Sequence, residues 1–114
     1  MKTYKEFMNE KFVDFDDKVN QEVSFPKEMI RMVARLTDEN DHIQARIIIA
    51  DLLKSVGNRA GNGYIRNYTS FMKMQEKNGY LSQSAVKSMS NADKGLKQEL
   101  QRTFTNWKAV WRAL

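Results

Sequence analysis

One histidine, no cysteine and fourteen carboxylates are the material from which this 114-residue chain could build a reactive centre. His42 has no second histidine and no thiolate with which to share a metal, and Asp38, Glu39 and Asp41 beside it read as acids at the start of a helix. A structural or solvated histidine is the expectation. Asp14, Asp16 and Asp17 form a second acidic group. Paired acids can hold a divalent cation or perform acid–base work, but both groups lie where helices begin or face solvent. The serines follow no nucleophile-elbow pattern. Residues 57–63 read GNRAGNG, and a glycine-rich turn before a helix can offer backbone N–H groups to a phosphate. The lysine and hydroxyl residue of a P-loop are missing, and no strand precedes it. The loop is therefore expected to be a flexible connector between helices, with Arg59 at most touching a nucleic-acid backbone. No catalytic residue, metal site or cofactor is expected, and the chain does not read as an enzyme.

The cations show more order. On a helix starting near Tyr64, residues Arg66, Lys73 and Lys77 fall opposite the apolar stripe. On a final helix, Lys94, Lys97, Lys108 and Arg112 share the flank of the apolar face. Two such rows on neighbouring helices could neutralise phosphates without reading bases; a solvated helix face is the plainer use of a charge row. The net charge of +5 is unevenly spread. Residues 1–23 carry four lysines against six acids, whereas residues 24–114 carry fifteen basic residues against eight acids. A basic body with a mildly acidic leader favours an anionic partner such as nucleic acid.

The elements that must position these groups are helical. Tyr4, Phe7, Met8, Phe12, Phe15 and Val19 recur at three- and four-residue steps and predict a first helix. Ser24 is expected to cap a second, with Pro26 in its first turn and Met29, Ile30, Val33 and Leu36 inward. Thr37 to Asp41 form a polar turn. Ile43 to Val56 is apolar on nearly every side, which marks a buried central helix over about 42–56. Gly57 is its expected stop. A fourth helix is predicted from about Tyr64 to Lys77, ended by Asn78-Gly79. Ser82 caps the next, with Leu81 and Val86 clamped as a hydrophobic staple. Ser90 and Asp93 resemble a second capping box, predicting a short helix to about Met89 and then a final one. That last helix places Leu96, Leu100, Phe104, Trp107, Trp111 and Leu114 on one face. No segment alternates with period two. The prediction is an all-α single domain of five or six helices around a buried central helix. No stretch reaches the length of a membrane span, and the N-terminus lacks the apolar core of a secretory signal.

Met1-Lys2-Thr3-Tyr4-Lys5-Glu6-Phe7-Met8-Asn9-Glu10 closely resembles the capsid-targeting leader of the internal head proteins of T-even-type bacteriophages. That leader reads Met-Lys-Thr-Tyr-x-Glu-Phe, then an aliphatic residue, a small or variable one, and Glu. Lys5 departs from the usual glutamine, and Met8-Asn9 replace a more aliphatic and smaller pair. The resemblance covers ten residues of 114 and implies a route of delivery. It implies entry into the assembling prohead, cleavage by the prohead protease after Glu10 with Met8 in the hydrophobic position, packaging with DNA in the head interior, and ejection into the host cytoplasm. Residues 1–10 are then a cleavable leader, or else the first turns of helix one, and residues 11–114 a single helical domain.

Three functions fit these features. A phage internal head protein, non-enzymatic and packaged non-specifically against DNA, could act on a host protein after injection. A small phage-encoded inhibitor of a host protein or defence complex could use an exposed part of the row Phe104, Trp107 and Trp111 as its interface, since tryptophan anchors interfaces well; core packing is the plainer role for that row. A sequence-neutral nucleic-acid-binding protein would use the cation rows alone. No membrane partner is expected.

Overall fold

The computed structural model describes residues 23–114. The predicted first helix, and Met8 and Glu10 within it, lie outside those residues. In chain order the described residues form α1 (Lys27–Asp38), α2 (His42–Ser55), α3 (Ala60–Asn78), α4 (Gln83–Thr103) and α5 (Trp107–Ala113), with no strand among them. The all-α prediction holds. No helix among the described residues is long and apolar enough to cross a membrane.

A helix that is apolar on almost every side has to be covered on several sides at once. α2 meets that condition, burying Ile43, Ala45, Ile49, Ala50, Leu52 and Leu53. Met29 and Val33 of α1, Tyr68 of α3, Leu96 and Leu100 of α4, and Val110 of α5 complete one core with Val23, Phe25 and Phe104. Ile49, Leu52 and Leu53 are fully buried, and each such side chain contributes about 1.5–3 kcal/mol of transfer free energy.

The helix ends follow local chemistry. α1 stops where Asn40 takes the left-handed conformation at φ 63°. There Asn40 N–H donates to the Thr37 carbonyl (3.0 Å) and Asp41 N–H to the Leu36 carbonyl (2.7 Å), the paired bonds of a Schellman turn. α2 stops in the same way, with Gly57 at φ 95°, Gly57 N–H on Lys54 O (3.0 Å) and Asn58 N–H on Leu53 O (2.9 Å). Gly79 ends α3, also left-handed. Ser82 caps α4, its hydroxyl accepting from Ala85 N–H. Val86, predicted to clamp on Leu81, is 50% exposed; Ala85 is the buried neighbour.

Four predicted features are corrected. Ser24 does not cap α1: its hydroxyl pairs with that of Thr105 (3.1 Å), and the N-cap position belongs to Pro26. The connector is shorter than predicted, because α3 starts at Ala60 and takes Gly61 into its first turn. Asn58 Oδ1 accepts from Ala60 N–H (3.1 Å) and starts the helix early. A Cβ on Gly61 would collide with the Ala50 carbonyl and come within 2.7 Å of Lys54 N. The glycine therefore lets α3 lie directly against the backbone of α2.

The third correction is that Ser90 and Asp93 start no new helix; α4 runs unbroken from Gln83 to Thr103. The fourth is that the final helix breaks at Phe104, which is extended at φ −118°, ψ 133°. Residues 23–25 cause the break. Thr105 N–H donates to Val23 O (2.9 Å), and Asn106 clamps Phe25 on both sides. Its Oδ1 accepts from Phe25 N–H (2.8 Å) and its Nδ2 donates to Phe25 O (2.9 Å). Phe25 and Phe104 then meet edge to face, 5.2 Å between centroids. Phe104 is thereby core and not part of an exposed aromatic row.

The two glycines of the α3 first turn should respond oppositely to alanine. Gly61→Ala forces backbone apart and is expected to cost about 1–3 kcal/mol. Gly63 has open space around its Cβ position, so Gly63→Ala should gain about 0.5–1 kcal/mol. Urea unfolding midpoints of the two variants check this; equal shifts would show that α2 and α3 are not in backbone contact at Gly61.

Candidate nucleic-acid interface

The surface cations are carried on helices whose relative register is set by a polar node beside the core. Arg46, on α2, donates from Nε to Asp93 Oδ1 (2.8 Å) and from Nη2 to Oδ2 (3.1 Å). Its third nitrogen, Nη1, donates to the His42 carbonyl (2.9 Å). The Tyr68 hydroxyl donates to the same Asp93 Oδ1 (2.6 Å). A bidentate guanidinium–carboxylate pair is the strong form of such a contact. Here it ties α2, α3 and α4 at one point. Burial, and next the hydrogen bond to the Asp93 carboxylate, hold the Tyr68 phenol well above its ordinary value.

A second node closes the opposite end of the α3–α4 pair. Asn58 Nδ2 donates to Glu99 Oε2 (2.8 Å) and to Thr103 Oγ1 (2.9 Å), while Glu99 Oε1 accepts from Arg102 (3.2 Å). Tyr64 lies across Gly95, occupying the place a Cβ would take. Burial and then the Glu99 charge raise its phenol above the ordinary value. Together these contacts fix the register of α3 against α4, with Tyr68 beside Asp93 and Tyr64 beside Gly95.

The predicted cations fall into separate groups on this frame. Lys73 and Lys77 are exposed on the outer half of α3, near the hairpin tip where Tyr80 is 66% exposed. Lys87, also exposed, joins them; it was missed because no apolar stripe defined its helix face. Arg66 and Lys94 are exposed further along, and Arg59 is exposed at the α2–α3 junction. Lys97, Lys108 and Arg112 belong to the other end, where α5 folds back. The Lys97 ammonium lies 5.9 Å from the Trp107 ring centroid and 6.0 Å from that of Trp111, and Lys108 lies 5.8 Å from Trp107. Along α4, Lys87 and Lys97 are about 15 Å apart at about 1.5 Å per residue, with Lys94 between them, one turn from Lys97.

The remaining reactive candidates lie apart from these cations. His42 is exposed at the start of α2 and enters the node only through its carbonyl. Asp38, Glu39 and Asp41 are exposed, and among the described residues no three histidines or acids come together as a metal site. Asp51 is half-buried; burial raises its carboxyl, and Lys54 partly offsets that. Asp14, Asp16 and Asp17 lie outside the described residues. Comparison with protein-family models, with curated proteins and with solved structures finds no match to this chain.

The Tyr68 node has a pH signature. The unfolded chain ionises this phenol at its ordinary value of 10.0, whereas the fold holds it neutral to higher pH. Its contribution is complete below pH 10 and declines as pH rises from there toward the folded value. Tyr68→Phe is expected to flatten the alkaline fall in unfolding free energy, and to cost about 1–3 kcal/mol at neutral pH through the lost bond. Denaturant titrations at neutral pH and above pH 10 measure both. An unchanged alkaline slope would show that the phenol is not held neutral.

Proposed function

We propose that this chain is an internal head protein of a T-even-type bacteriophage, non-enzymatic, packaged with the genome and delivered with it into the host cytoplasm. The observation that carries this reading is the leader-like decapeptide Met1–Glu10. A protease selecting a hydrophobic residue and a terminal glutamate finds Met8 and Glu10 in the required places. Cleavage after Glu10 falls upstream of α1, so it severs none of the described helices.

The body suits confinement with DNA. Fifteen cations against eight acids in residues 24–114, with Arg66, Lys73, Lys77 and Lys94 exposed, allow phosphate neutralisation without base readout. A host protein met after injection is the remaining partner of this reading.

Mass spectrometry of purified particles should find a chain beginning at Lys11; absence of the protein from particles would overturn the proposal. The DNA contact has its own measurement. The double charge reversal Lys73→Glu and Lys77→Glu touches exposed positions, where the effect on stability is expected within about 0.5 kcal/mol. It should weaken duplex DNA binding and reduce the slope of log K against log salt by about 2. An unchanged slope would remove the outer face of α3 from the interface.

A further inference from the structure

The break at Phe104 gathers onto one surface groups that a continuous helix would have strung out. Trp107 and Trp111 are the protein's two tryptophans. They lie one turn apart on α5, half-buried and packed against the core. Lys97, reaching over from α4, places its ammonium about equally near both rings, and Lys108 flanks Trp107. At these distances an ammonium is attracted by the indole π-face, so the cations are held beside the rings. α5 contains no acid, and Glu99 on α4 is engaged by Asn58 and Arg102. Among the described residues no carboxylate pairs with Lys97 or Lys108.

The patch therefore sets two partly exposed indole rings beside fixed positive charge. An acidic peptide complements only the charge. In a DNA duplex the bases are stacked on one another, so their faces are hidden and only edges and phosphates are presented. An unpaired strand offers free base faces and phosphates together, which is the combination that single-strand platforms use. From this we infer that the α4–α5 surface binds single-stranded nucleic acid, with the Trp107 and Trp111 indoles stacking bases and Lys97 and Lys108 holding the adjoining phosphates. A base that enters takes the π-face from the ammonium, which moves to a phosphate, so neither charge nor ring loses a partner. Stacking on an indole accepts the face of any base, so recognition is tolerant of sequence. The inference is independent of the leader and of duplex packaging.

Because both fluorophores sit in the patch, tryptophan emission of the full chain reads it directly. The titrants are an oligothymidylate strand of about 16 nucleotides, a duplex of equal length, and polyglutamate. The strand should quench emission saturably and bind at least about fivefold more tightly than the duplex, whose binding should leave emission unchanged. Trp111→Ala should weaken strand binding roughly five- to a hundredfold. Trp107→Phe and Trp111→Phe keep a ring at each position, and in each the remaining indole should still be quenched, so the test survives if the alanine variant fails to fold. Equal affinity for strand and duplex with unchanged emission would overturn stacking while leaving the phosphate contacts of the proposed function in place. Equal quenching by polyglutamate would overturn the choice of nucleic acid. Failure to bind the strand would overturn the inference outright, whether or not the protein is found in particles.

Discussion

Arg46 puts a guanidinium on the helix that supplies the largest share of the core, and a charge so placed must be met on several sides or it destabilises the fold. Asp93 meets it with both carboxylate oxygens and takes the Tyr68 hydroxyl as well. One carboxylate thus joins three helices. A carboxylate with that duty has to arrive from a rigid backbone, which explains why α4 is continuous through Ser90 and Asp93. As an N-cap partner, Asp93 would have contributed roughly a kilocalorie to one helix end. Removing it from this part-buried node would leave both Arg46 and the Tyr68 hydroxyl without their acceptor, a larger loss than one cap. The ion pair outweighs the cap, and the local capping signal is overridden.

The second organising contact is Asn106 on Phe25. An amide side chain that both accepts from and donates to one residue's backbone acts as a short stretch of strand pairing, although neither segment is a strand. It ends the helix that the apolar spacing of Leu96 through Leu114 would otherwise continue. Phe104 turns inward against Phe25, and α5 lies back against α1 and α4. The reach of Lys97 across to both indoles is a consequence of that turn. In an uninterrupted helix Lys97 and Lys108, eleven residues apart, would be separated by about 16 Å along the axis.

Periodicity in the sequence was sufficient for α1, α2, α3 and the all-α class, because these helices have one dominant apolar face or, for α2, none that is polar. Gly57, Gly79 and Ser82 announced their ends through chemistry local to the chain. What stayed hidden was set by contacts distant in sequence: Arg46 with Asp93, Asn58 with Glu99, Asn106 with Phe25. Arg46 did stand out as an interruption in an apolar run, and a charge in such a position signals a partner elsewhere without saying which. The cations of the candidate interface could be assigned to helices from spacing. Their grouping could not, since it depends on the turn at Phe104 and on the register fixed by Tyr68 and Tyr64.

Among the described residues no buried side-chain nitrogen or oxygen lacks a partner. On the surface the two ends of the molecule differ in kind. The α3–α4 tip offers lysines with an exposed Tyr80 beside them; the α4–α5 end offers lysines already seated on indoles. Charge alone cannot distinguish the two, because any polyanion is drawn to both and the roughly 15 Å between Lys87 and Lys97 is short for a nucleic acid to span. The rings can distinguish them. A ligand that brings only negative charge draws the ammonium groups off the indoles and leaves the π-faces bare, whereas one that brings bases fills them, so occupancy of the indole faces separates recognition of a strand from simple neutralisation.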